Sequence, residues 1–296
     1  MTTTHHPPSA NEAEPPFSSL AIIGLGLIGG SIALAVRERW PSIRLVAVDR
    51  PAVLAHGLGG GAIDRGAATV AEMGRPELVV LAAPVRENVS LLPEVAAHVD
   101  GSALITDVGG TKRDIVRAAR ALPRSVTFVG GHPIGGAERG GFGFARPDLF
   151  VGKPWIFTPE ALDSSDPLDR LMQFARGLRA RPTTMDAAAH DRLMAFLSHL
   201  PQLTASALME TVGSAAAGEG LRLAGRGLID TTRLASSPAS LWRDVCAANA
   251  DEIGQALDLL IERLTEMRAD LERGEAIEVI FDEAARWRAE LMKGRD

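Results

Sequence analysis

A single cysteine, Cys246, stands in this chain of 296 residues, so no internal disulfide can form and no Cys-based zinc cage can be built. A lone thiol suits a reducing compartment, and the expected location is the cytoplasm. Basic charge is also short: 31 Lys and Arg face 37 Asp and Glu, a net charge of −6. Binders of nucleic acid or of anionic membranes need a basic face, so neither partner is expected. An anionic ligand must instead be held by local positive groups. Residues 1–19 carry no Lys or Arg, which removes the basic start of a signal peptide. The apolar run at residues 20–36 is broken by four glycines and is short for a membrane span.

What is present fits a soluble enzyme, with 46% hydrophobic and 23% charged residues and a length comfortable for two domains. Residues 1–17, MTTTHHPPSANEAEPPF, are rich in proline and polar groups and read as a disordered tail. From Ser18 onward, short β-branched runs alternate with helical stretches. LAIIG (20–24), IRLVAVD (43–49), ELVVLAA (77–83), SALITDV (102–108), VTFVGG (126–131) and PWIFTP (154–159) read as strands. Segments 27–39, 112–121 and a stretch near 166–180 read as helices. This rhythm implies an α/β fold, a doubly wound, Rossmann-type parallel sheet over residues 18–183.

After Arg181-Pro182 the strands are expected to stop, leaving residues 184–296 as an all-helical domain for substrate and dimerisation. Helices are expected near 186–213, 239–273 and 275–292. In the middle one, Cys246, Ala250, Ile253, Leu257, Leu260, Leu264, Met267 and Leu271 alternate four and three apart, forming a narrow apolar seam. A helical appendage of this size has a poor surface-to-volume ratio alone, so a homodimer through it is expected.

Gly24-Leu25-Gly26-Leu27-Ile28-Gly29 is a G-x-G-x-x-G that follows a strand and opens a helix. An acid, Asp49, ends the next strand, 20 residues after Gly29. Gly24 permits the tight turn, Gly26 lets the backbone approach a pyrophosphate, and Gly29 lets helix and strand pack closely. The helix N-terminus supplies free N–H groups to the phosphates, which meets the need for local positive charge. Asp49 accepts from ribose hydroxyls and repels a 2′-phosphate, so NAD is the expected cofactor. Arg50 beside it keeps NADP open. Ala83 and Pro84, ending the 77–83 strand, join Leu27 and Ile28 as further candidate cofactor contacts.

Val-Gly-Gly-His-Pro-Ile-Gly-Gly (129–136) places one imidazole, His132, between two glycine pairs at a strand end. Chemistry in doubly wound sheets sits at those carboxyl ends. Pro133 biases His132 toward extended geometry, and the glycines are expected to clear room for a flat ring and a nicotinamide. A neutral imidazole there is a candidate general base. Pro201 within SHLP is expected to kink its helix, costing it the bond to the Leu197 carbonyl and projecting His199 and Gln202 from neighbouring positions.

GLGLIGGS (24–31), TDVGGTK (106–112), GGHPIGGAERGG (130–141), ARPDLFVGKPWIFTP (145–159), HD…SHLP (190–201) and DTTRLASSPASLWRD (230–244) together resemble the prephenate dehydrogenase family, in order from about residue 20 to 245. The resemblance implies NAD-dependent oxidative decarboxylation of prephenate to 4-hydroxyphenylpyruvate, a step toward tyrosine. It makes His132 the catalytic histidine and Arg233 the substrate-carboxylate arginine. It also draws Glu138, Thr111, His199 and Gln202 into the substrate shell, with no metal.

Three positions depart from that pattern. Gly110 stands where the family usually has a serine, Ala137 where a Ser or Thr precedes the glutamate, and Gln202 where many relatives carry a second histidine. The alternatives are arogenate as substrate and, from a different class, a non-catalytic NAD-sensing module. The β-hydroxyacid dehydrogenases of the same fold use a lysine on the helical domain. Here the only lysines are Lys112, Lys153 and Lys293, none within 186–213.

Overall fold

A computed structural model describes residues 14–293 apart from 100, 102, 137, 138 and 161–164. Among these, the strands are β1 (Ser19–Ile23), β2 (Arg44–Val48), β3 (Arg65–Ala67), β4 (Leu78–Leu81), β5 (Leu104–Asp107), β6 (Thr127–Pro133), β7 (Pro154–Thr158) and β8 (Arg181–Thr184). They form one sheet in the order β3-β2-β1-β4-β5-β6-β7-β8. All neighbours are parallel except β6 and β7. Every residue of β1, β4 and β5 is buried, because helices cover both faces of the sheet centre. Alternation along β1 divides the core: Leu20 and Ile22 pack on one face with Trp155 and Phe174, and Ala21 and Ile23 on the other with Leu81 and Ile105.

The helices that flank the sheet are α1 (Leu27–Arg39), α2 (Pro51–Gly59), α3 (Val85–His98), α4 (Arg113–Ala119) and α5 (Ser165–Gly177). The helical region follows, as α6 (Ala187–Met194), α7 (Leu200–Leu221), α8 (Arg226–Thr231), α9 (Ala239–Ala248), α10 (Ala250–Ala269) and α11 (Glu275–Met292). The α/β-then-helical architecture read from the sequence is the one observed. No helix among the described residues is long and apolar enough to cross a membrane.

Several details differ from expectation. Residues 1–13 of the expected tail lie outside the described residues, but its last residue, Phe17, is 1% exposed and packs edge-on against Phe174. Strand structure continues past Pro182 as β8, an edge strand, where a missing N–H on the open side breaks no ladder bond. The expected helix 239–273 breaks at Asn249, between α9 and α10. The seam crosses that break, with Cys246 packed beside Ile253, and divides further along α10. Ile253 and Leu257 pack into a small core with Ala195 and Ala256, while Leu264 and Leu271 face outward. Around Pro201 the chain forms a π-helical turn, Ala195–His199, and the proline sits in the first turn of α7. The helical run continues from α6 through this widened turn into α7, and the turn takes up the ladder bond that Pro201 cannot donate to the Leu197 carbonyl.

Candidate active site

The strand order reverses between β1 and β4, and the crevice at their carboxyl ends is the place where such sheets bind ligands. A cavity of about 780 Å³ there is lined by Gly24, Gly26, Asp49, Arg50, Ala83 and Pro84. Each fingerprint glycine has its own steric reason. Gly24 has φ +96°, and a Cβ on it would lie 2.6 Å from the Ala82 carbonyl carbon. A Cβ on Gly29 would lie 2.0 Å from the Gly24 oxygen, so helix and strand close only over glycine. Gly26 has nothing within 4 Å of such a Cβ, which leaves its backbone open to the cavity. It starts α1 without a side-chain cap, so the first N–H groups of that helix are free for an anion. Asp49 accepts from the Leu25 N–H at 2.7 Å and from the Arg50 N–H at 2.6 Å, which fixes its carboxylate beside the glycine turn.

A second cavity, about 480 Å³, is lined by Leu27, Ile28, Gly110, His132, Arg139 and His199 among others. It shares Ala82, Ala83 and Pro84 with the first, so the two are halves of one crevice. Asn88, fully buried, holds this junction by accepting from the Ala83 N–H and donating to the Leu81 carbonyl.

β6 changes partners along its length. Residues 127–129 pair with β5, and 130–133 pair with β7, His132 standing opposite Ile156. That switch explains the glycines differently from the sequence expectation. A Cβ on Gly130 would strike Thr158 Oγ1 at 2.4 Å and one on Gly131 the Asp107 carbonyl at 2.6 Å. This first pair is there to let strands approach; of the second pair, Gly135 lies on the cavity lining and Gly136 has open space around it. The buried Lys112 ammonium pairs with Asp107 and donates to the Gly131 carbonyl at 2.7 Å, anchoring the residue before His132. Burial lowers the Lys112 pKa, against the pull of Asp107.

His132 is half-buried. Its Nδ1 lies 2.9 Å from Nε2 of His190, whose Nδ1 lies 2.8 Å from Asp191 Oδ1. Burial, then the neighbouring His190, Lys112 and His199, hold its pKa well below the ordinary histidine value. His132 is thus uncharged at neutral pH, as a base must be. His199 is buried on the same cavity, edge-on to Trp242, and burial pushes its pKa down to about 4.

The other expected site residues are placed unevenly. Glu138 lies outside the described residues. Gln202 is buried but turns away from the cavity, donating to the Leu234 carbonyl at 2.7 Å and accepting from Ser237 at 3.1 Å. Thr111 is 1% exposed, and its hydroxyl has no partner among the described residues and is absent from the lining. Arg233 is exposed, off the lining, and begins the 3₁₀ turn Arg233–Ser236 that Gln202 pins. The guanidinium-bearing residue on the lining is Arg139, which sequence reasoning passed over. His190, Asp191 and Asn249 were also missed as site residues, although His190-Asp191 stands within the HD…SHLP motif that the resemblance rests on.

Residues 32–184 match the family model described as prephenate dehydrogenase, nucleotide-binding domain, and residues 186–281 match prephenate dehydrogenase, dimerization domain. The chain is 33% identical over 268 residues to a prephenate dehydrogenase of Bacillus subtilis, covering 87% of this chain and 71% of that one. It is 31% identical over 284 residues to a prephenate dehydrogenase of Lactococcus lactis, covering 93% and 78%. Among solved structures, prephenate dehydrogenase from Aquifex aeolicus in complex with hydroxyphenyl propionate and NAD+ is similar at a TM-score of 0.85 and 26% identity, with 93% and 98% of the two chains covered.

Proposed function

Since the chain belongs to the prephenate dehydrogenase family, we propose that it converts prephenate to 4-hydroxyphenylpyruvate with NAD, as a cytoplasmic homodimer. The observation that carries this reading is the junction at Ala82–Pro84, which opens the cavity holding His132 into the fingerprint crevice.

The residues present fit the dinucleotide. Gly24, Gly26 and the uncapped start of α1 would hold the pyrophosphate, and Asp49 a ribose. When bound, the oxidised nicotinamide supplies the acceptor for a hydride. His132 Nε2 takes the C4 hydroxyl proton of the substrate as hydride leaves C4. The bond from C1 to its carboxylate then breaks, carbon dioxide departs, and the electron pair enters the ring, which becomes aromatic. The proton returns from His132 to the phenolate oxygen. Low basicity of the free imidazole keeps it ready to accept at neutral pH. The substrate carries two carboxylates, and Arg139 on the wall and Arg233 at the head of the turn ending near Ser237 are the guanidiniums assigned to them. A second copy would cover the outward apolar side chains of α10 and α11, among them Leu264, Phe281 and Trp287.

The test follows reduced-nicotinamide absorbance with prephenate and with arogenate, for the native chain and His132→Asn. Turnover of prephenate by the native chain, lost by about a thousandfold in the variant with NAD affinity retained, is expected. Turnover of arogenate alone would reassign the substrate. NAD binding with neither compound consumed would make the chain a sensor, and an active His132→Asn would remove this histidine from the mechanism.

A further inference from the structure

We propose that the two cavity histidines are held in opposite tautomers, His132 offering a bare nitrogen and His199 an N–H. The positioning residues are His190 with Asp191, and Asn249 with Arg113. The inference rests on the reading of His132 as the base, and it names what the base needs from its surroundings.

The guanidinium of Arg113 can only donate. Its Nη2 donates to Asn249 Oδ1 at 2.7 Å, which fixes the amide with its oxygen toward the guanidinium. The amide nitrogen is then on the other side, donating to the Asp191 carbonyl at 2.8 Å and facing His199 Nδ1 at 3.3 Å. His199 Nδ1 must accept. An uncharged His199 has one hydrogen, and it is therefore on Nε2.

The second chain of donors runs the other way. Asp191 accepts from the Lys112 N–H at 2.7 Å and the Arg113 N–H at 2.9 Å, with Arg113 Nε at 3.3 Å. Against the pull of burial, the bond from His190 and then these backbone donors hold it as a carboxylate below the usual range, and a carboxylate only accepts. His190 Nδ1 must donate to it. His190 is fully buried, and the Lys112 and Arg113 cations stand in the same cluster, Arg113 shared between Asp191 and Asp251. Its ring is uncharged in this arrangement, with the single hydrogen on Nδ1. His190 Nε2 is bare and accepts from His132 Nδ1. That leaves His132 Nε2 bare, and this is the atom toward Gly110, where an added Cβ would sit 4.0 Å away. The same contacts steady His132 once it is charged, because its Nδ1–H still has an acceptor and His190 still leans on Asp191.

The cavity therefore matches a substrate presenting a hydroxyl to one histidine and an acceptor oxygen, carbonyl or carboxylate, to the other. Nitrogen-15 NMR of the imidazoles near neutral pH, in protein without substrate, reads this directly and independently of turnover. The expected spectrum has hydrogen on Nδ1 of His132 and on Nε2 of His199. Two variants add the kinetic arm. His190→Leu removes the acceptor and should mix the His132 tautomers and lower kcat on the order of a hundredfold, with NAD affinity unchanged. His190→Gln returns an acceptor oxygen and should recover most of kcat and the original spectrum. Hydrogen on Nε2 of His132 in the native protein, or equal kcat in the two variants, overturns the proposal. If prephenate is not consumed at all, the spectrum still decides the tautomers, so failure of the substrate assignment remains separate.

Discussion

Acidification should unload stability through His199 in a narrow pH window. Its pKa falls from the ordinary 6.5 to about 4 because the folded chain buries the ring. Between those values the unfolded chain binds a proton that the folded one refuses, so stability is complete above about pH 6.5 and drops as pH falls toward 4. At about pH 4.5 an unfolded histidine is almost fully protonated and the folded one about a quarter so, which amounts to roughly 2.5 kcal/mol relative to about pH 7.5. His132 works in the same direction, with its pKa also depressed. A variant isolates the single contribution: His199→Asn keeps an acceptor for the Asn249 amide and cannot titrate. Urea unfolding at fixed protein concentration across the window gives both stability curves. They should converge by roughly 2.5 kcal/mol as pH falls, whatever offset the substitution itself introduces. Parallel curves would show that His199 is solvated in the folded state, and the account of a buried, uncharged donor would go with it.

Gly110→Ser should raise kcat/KM by about tenfold, since its Cβ site is open and near His132 Nε2; steady-state kinetics showing a fall would mean that the present substrate uses the glycine's space. Asp49→Ser keeps an acceptor for the Leu25 N–H but no longer repels a 2′-phosphate. The preference for NAD over NADP should shrink by roughly tenfold in paired kinetics, and an unchanged ratio would place Asp49 away from the ribose. Phe281→Glu combined with Trp287→Glu should yield monomers by light scattering; both side chains are more than half exposed on α11, and a dimer that persists would put the interface elsewhere.

Much of the sheet was readable because β1, β4 and β5 are buried on both faces and leave continuous apolar runs. β3 escaped notice because three residues, Arg-Gly-Ala, carry no periodicity. β8 was missed because Pro182 reads as a strand breaker unless its edge position is known. The fingerprint was legible in detail, since a G-x-G-x-x-G encodes local sterics. The substrate side was less so. Arg139 reaches the cavity wall from the loop after β6, and Gln202 points to the turn before α9, placements that only the assembled fold sets. The break at Asn249 was hidden by an apolar seam that runs across it without a change of spacing. His190 and Asp191 acquire meaning only when β6 and α6 meet, 58 residues apart for the histidine pair.

The boundary between the two domains passes through the proposed base. His132 belongs to the sheet, the groups that orient it belong to the first helix beyond it, and backbone amides of Lys112 and Arg113 reach across to grip that helix. A cut between β8 and α6 would leave the front piece with a histidine lacking its acceptor and the rear piece with a buried aspartate stripped of its donors. Neither fragment would own a working proton acceptor. Any engineered exchange of the helical half must keep the His-Asp pair in register with Arg113, or the dinucleotide crevice would persist without chemistry.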